Sequence, residues 1–205
     1  MDIYKPEIKE IDITNVYGET LKVVVIPNSI RAEEAVRNQF ISVSTEIKAK
    51  RITEKMDESL LSILKSMAQP KEKLIEEILL FRDSDIVSEA EMLIDKDREN
   101  RKQLVEDKVQ KIKNSETKKL NEKNIDDLCK EVASLRLNAN ENIETMNKVW
   151  NTVLFYCVRN ADDRRKQIFN SENDVSESLD QKTKELLVKE HIRVNAKRTE
   201  TEGKN

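Results

Sequence analysis

The sequence predicts a mainly α protein: a helical bundle of long amphipathic helices with a small N-terminal β-hairpin. Three observations carry that reading. The 205 residues include only two glycines and three prolines, whereas an all-β chain needs a turn signal every ~8–12 residues. Charged residues make up 38% and aromatics 4%, which suits helices with solvated faces. Apolar residues recur at steps of three and four from Val36 to Ile112 and from Ile125 to Cys157, the period of one helical face.

Residues 1–27 hold the hairpin. Ile8, Ile11 and Ile13 are interleaved with polar residues, Val16-Tyr17-Gly18-Glu19 supplies a turn, and Leu21 to Ile26 is a β-branched run. Pro27 stops it, having no N–H to give to a ladder. A lone hairpin is marginal in water, so it must pack on a helix or pair with another strand.

Residues 28–113 form a helical region. Asn28 or Ser29 can cap its first helix. Val36, Phe40, Val43 and Ile47 share one face, and Ile52, Met56, Leu60, Leu64 and Met67 continue it. Asp57 offers a break and Pro70 an end, because proline disfavours helical geometry in the residue before it. A shorter helix carries Leu74, Ile78 and Phe81. Asp83-Ser84-Asp85 can cap the next, which carries Ile86, Ala90 and Leu93. Residues 95–103 have no apolar side chain, and Leu104, Val105, Val109 and Ile112 restore only a thin stripe. Residues 114–124 (NSETKKLNEKN), with Leu120 as their only apolar residue, are the expected linker.

Residues 125–195 are a second helical region. Its stripe runs through Ile125, Leu128, Val132, Leu135, Ala139, Ile143, Met146, Val149 or Trp150, and Val153 to Cys157. A polar loop over 160–174, interrupted by Ile168-Phe169, leads to a last helix over 176–194. Residues 196–205 read as a disordered tail.

Composition excludes more than it identifies. Acids and bases interleave to a net charge of −3, without the basic excess that marks a nucleic-acid surface. No apolar run approaches the ~18 residues of a membrane span, and the N-terminus lacks a charged-then-apolar signal pattern. The expectation is a cytoplasmic protein with neither nucleic-acid nor membrane partner. Cys129 and Cys157 lie in apolar helical patterns, where free cysteine acts as a small hydrophobe, and no CxxC spacing occurs.

Candidate chemistry is sparse. The lone histidine, His191, stands among Lys189, Glu190 and Arg193 and reads as an exposed surface residue. Asp95, Asp97, Glu99 and Glu106 match the acidic positions of a calcium loop. Asn100 stands where its glycine belongs, though, and Arg98, Arg101 and Lys102 would repel the ion. The pairs Glu33/Glu34, Glu76/Glu77 and Asp162/Asp163 point in different directions on a helix. No catalytic residue, metal or cofactor is therefore expected, and the reading is of a non-enzymatic protein-binding chain.

Aromatic density peaks in Trp150-Asn151-Thr152-Val153-Leu154-Phe155-Tyr156-Cys157-Val158. As a core, this cluster would hold the C-terminal half together. As a partner site, Trp150, Val153, Leu154 and Phe155 would line a groove closed by Leu186 and Leu187, ready for an amphipathic client helix.

The stretch Val153-Leu154-Phe155-Tyr156-Cys157-Val158-Arg159-Asn160, followed by Ile168-Phe169, Asp174-Val175 and Leu186-Leu187 to Ile192, resembles the tail assembly chaperones of long-tailed bacteriophages. The N-terminal hairpin is similar to the start of such proteins. The family's Asp-Gly turn is replaced here by Asn160-Ala161-Asp162-Asp163-Arg164, and residues 41–124 match nothing in it. The resemblance implies a chaperone in the host cytoplasm that coats a helical tape-measure protein and recruits tail-tube subunits. The alternative is a scaffolding protein forming a permanent coiled-coil homo-oligomer, with its seam along Ile125 to Cys157.

Overall fold

The structure is a computed structural model that describes residues 7–95 and 99–202, with side chains described up to residue 196. Among the described residues it holds β1 (Glu10–Thr14), β2 (Thr20–Val25), α1 (Ile30–Thr53), α2 (Met56–Ser66), α3 (Lys71–Phe81) and α4 (Asp83–Met92). These are followed by α5 (Arg101–Glu122), α6 (Ile125–Cys157), β3 (Val158–Asn160), α7 (Glu172–Ser178) and α8 (Gln181–Glu202). Helix accounts for 72% of the described residues, which makes the chain mainly α. No helix among the described residues is long and apolar enough to cross a membrane.

The chain forms two units, one from residues 1–47 and 143–205 and the other from residues 48–142. It passes between them inside α1 and α6, so the boundaries fall within helices and not in a linker. In the first unit the hairpin finds its required partner in β3, giving an antiparallel sheet of order β1-β2-β3. The hairpin turn closes because the Asn15 side-chain carbonyl accepts from the Tyr17 and Glu19 N–H groups. Gly18 there takes a φ of 85°, which a side chain would strain. The core beneath combines Ile13, Val23 and Val25 of the sheet, Ala32 of α1, Val153, Leu154 and Cys157 of α6, Val175 of α7 and Leu187 of α8. Ser29 is the cap of α1: its hydroxyl accepts from the Ala32 N–H at 3.2 Å.

The second unit packs Leu64 of α2, Leu74, Ile75 and Ile78 of α3, Leu120 of α5 and Leu128, Cys129, Val132 and Ala133 of α6. The break between α1 and α2 falls at Lys55, which takes a left-handed φ of 49°. Arg51 bridges it, pairing with Asp57 at 2.5 Å and also reaching Asn138 and Glu141. The Arg51 guanidinium holds the Asp57 carboxyl below the usual carboxylate range.

Four expectations need correction. Residues 114–124 are not a linker: α5 runs to Glu122 and buries Leu120 to 1% exposure. Charged residues of the stretch are partners, with Glu116 accepting from Arg82 at 2.7 Å and Lys123 paired with Glu131 at 2.8 Å. The partition into successive N- and C-terminal helical regions gives way to units that interleave the two ends of the chain. Residues 196–202 continue α8, while 203–205 lie outside the described residues. Finally, α4 begins at Asp83 behind Arg82, which is itself nearly helical, so Asp83-Ser84-Asp85 supplies no side-chain cap.

Candidate functional site

The C-terminal half of α6 positions every aromatic residue proposed for partner binding. An α-helix turns by about 100° per residue, so consecutive apolar residues differ in how deeply they are buried. The structure divides the six groove residues accordingly. Val153, Leu154 and Leu187 are sealed in the core at 4%, 0% and 0% exposure. Phe155 is half-buried, packed against that same core and edge-on against Tyr156, ring centroids 5.0 Å apart. Leu186, next to buried Leu187 on α8, is 48% exposed. Trp150 is half-buried. The expected groove is therefore filled by the chain's own core residues.

What the structure leaves open is a different stripe. Trp150, Met146 and Ile143 succeed one another at steps of four and three toward the N-terminus of α6, on one helical side. Exposure rises along it, from half-buried Trp150 to 41% at Met146 and 61% at Ile143. The stripe continues the side of α6 that buries Leu154 and Cys157.

Trp150 is fixed by His191. The two rings meet edge to face, centroids 6.0 Å apart and planes at 76°. His191 is not a surface residue, as its charged neighbours suggest: it is 6% exposed. It lies on the α8 face that carries Leu187 and Val194, whereas the charged neighbours lie on the others. Burial pushes its pKa below the ordinary value, holding the imidazole neutral. Asn195, one turn on, sets its amide within 3.3 Å of the ring nitrogens and donates to the His191 carbonyl at 2.9 Å. The Asn195 side-chain carbonyl accepts from the Asn28 N–H, and the Cys157 thiol donates to the Asn28 side-chain carbonyl at 3.2 Å. Burial pushes the Cys157 thiol up to about 11, so at neutral pH it is a donor and not a thiolate. This polar chain ties α8 to the start of α1 and the end of α6. Sequence reasoning missed it, although the spacing of Leu187, His191 and Val194 marks one face.

The remaining candidates resolve simply. Glu77 receives Arg136 at 2.5 Å, while Glu33, Glu34, Glu76, Asp162 and Asp163 are exposed. Of the calcium-loop match, Asp97 lies outside the described residues, and Asn100 takes a left-handed φ of 61° ahead of α5. Among the described residues no three His, Cys, Asp or Glu side chains gather as a metal-holding group. In the second unit Val87, Val105 and Val109 line a slot of about 590 Å³ between α4 and α5. Glu91, Glu106, Arg101 and Lys102 also line it, two acids against two bases, so it favours neither sign of ligand. Compared with known protein families, curated proteins and solved structures, the chain matches none.

Proposed function

We propose that this chain is a non-enzymatic protein-binding chaperone that takes an amphipathic helix of its client against the stripe Ile143, Met146 and Trp150. The observation that carries the reading is the rise in exposure along that stripe, apolar side chains at helical spacing left uncovered beside a fixed aromatic ring. Covering such side chains releases roughly 1.5–3 kcal/mol for each one fully buried, and a half-buried aromatic at the end of a stripe is the kind of residue that anchors interfaces. A client helix with apolar residues at steps of three and four would match it.

The resemblance to tail assembly chaperones supplies the client: a long helical tape-measure protein in the host cytoplasm, with tail-tube subunits recruited to it. Many such weak helix contacts along one client add by avidity. The permanent coiled-coil reading is less favoured, because Leu128, Val132, Val153 and Cys157 of its seam are buried within the chain.

Trp150 is the only tryptophan, so its emission reads the stripe directly. Titration with a synthetic amphipathic helical peptide of tape-measure type is expected to shift that emission to the blue. The double variant Ile143→Asp/Met146→Asp, changed only at exposed positions, is expected to keep its circular dichroism and lose the shift. A variant that binds as well as the parent removes this stripe as the client site.

A further inference from the structure

The Leu21 to Ile26 side of the hairpin is closed, because β2 is the central strand. The open edge is that of β1, and the register shows which groups it offers. In an antiparallel ladder alternate residues direct both main-chain groups at the partner strand. The Asn15 N–H donates to the Glu19 carbonyl, which sets the phase. Ile13 and Ile11, opposite Leu21 and Val23, then turn inward to β2, while Glu10, Asp12 and Thr14 turn outward. The far side of β2 agrees: the Ile26 N–H donates to Cys157 and the Lys22 carbonyl accepts from Ala161, so its even-numbered residues face β3.

One bond closes the row at its C-terminal end, where the Val16 N–H donates to the Ser178 carbonyl at 2.9 Å. Before it, no hydrogen bond from the described residues reaches the outward groups of Glu10, Asp12 and Thr14. The three side chains are exposed, while Ile13 is 2% exposed and Ile11 half-buried on the other face. An added strand would therefore meet acids at positions 10 and 12 on one face and isoleucines at 11 and 13 on the other.

Charge decides the occupant. Opposite charges across a ladder stabilise it and like charges oppose it. On its inner side β1 already sets Asp12 opposite Lys22. A second copy fits poorly: a dyad at Asp12 sets that residue against itself, a dyad at Ile11 sets Glu10 against Asp12, and a dyad at Ile13 leaves both acids without a counter-charge. We propose that the outer edge of β1 binds an extended segment of a partner protein in which Lys or Arg alternates with apolar residues, basic side chains opposite Glu10 and Asp12 and apolar ones opposite Ile11 and Ile13. This site is independent of the helix stripe on α6.

The test uses the full chain and three short fluorescent peptides: alternating Lys-Val, alternating Glu-Val, and a Lys-Val peptide of the same composition without alternation. Anisotropy is expected to show saturable binding of the first only. Asp12→Pro removes an outward N–H but leaves the bonds to β2, as edge prolines do, and is expected to weaken binding by about tenfold, near the upper limit for one lost hydrogen bond. Glu10→Lys/Asp12→Lys is expected to transfer preference to the Glu-Val peptide. Circular dichroism confirms that each variant is folded. If no peptide binds, the acids merely guard the edge against strand pairing and the proposal fails. It fails equally if the non-alternating peptide binds as well as the alternating one, or if the parent chain dimerises through β1 in preference to binding peptide.

Discussion

His191 shows how a single residue is set by its face and not by its neighbours in sequence. Its folded pKa lies below the ordinary 6.5 because of burial. The unfolded chain therefore takes the proton first as pH falls through about 6.5. Above that value the group adds no pH slope. Below it, stability falls with pH toward the folded pKa, by up to about 1.4 kcal/mol per pH unit. No other histidine is present to titrate in this window. Urea midpoints at about pH 7.5 and about pH 5.5, either side of the histidine range, are expected to drop on acidification for the parent chain and far less for His191→Leu. Equal drops would place the sensitivity elsewhere. Cys157 gives a second residue-scale expectation. Buried at 0% exposure with its thiol pushed up to about 11, it is expected to resist iodoacetamide in the folded chain, as is Cys129 at 2% exposure. Both should react in denaturant. Fast labelling of native Cys157 would put it at the surface.

At the scale of elements, α5 and α6 separate what spacing reveals from what it hides. The three-four pattern of α6 was readable along its whole length, and Ser29 as a cap and Gly18 as a turn residue were readable from residue chemistry. The helical nature of residues 114–122 was not. One buried leucine supplies too little apolar signal, and a glutamate such as Glu116, which holds Arg82, looks like a solvent-facing residue when read in one dimension. Leu120→Ala is therefore expected to destabilise the chain by about 2–5 kcal/mol, as for a leucine lost from a packed core. Denaturant unfolding measures it, and a change near zero would restore the linker. Strand β3 was missed for another reason: Val158-Arg159-Asn160 follows an apolar helix with no turn residue between them, and three residues carry no readable period. The candidate groove failed on burial. Val153, Leu154 and Leu187 are core residues with Trp150 and Phe155 packed against them, and spacing alone does not tell a core stripe from an open one.

At the scale of the whole molecule, composition was enough for the mainly α class, because two glycines and three prolines leave little room for turns. It could not give the division into two units, since that depends on the first 47 residues packing with the last 63 across the intervening unit in sequence. No local pattern records such a pairing. Each unit buries its own core; among the apolar side chains that the first leaves exposed are Ile143 and Met146 of the α6 stripe, and the edge of β1 is unpaired. The proposed function rests on the stripe. The most direct test follows Trp150 emission while an amphipathic helical peptide is titrated into the parent chain and into Ile143→Asp/Met146→Asp. A saturable blue shift in the parent and none in the folded variant is the predicted result. An unshifted parent, or a variant that shifts equally, would contradict it.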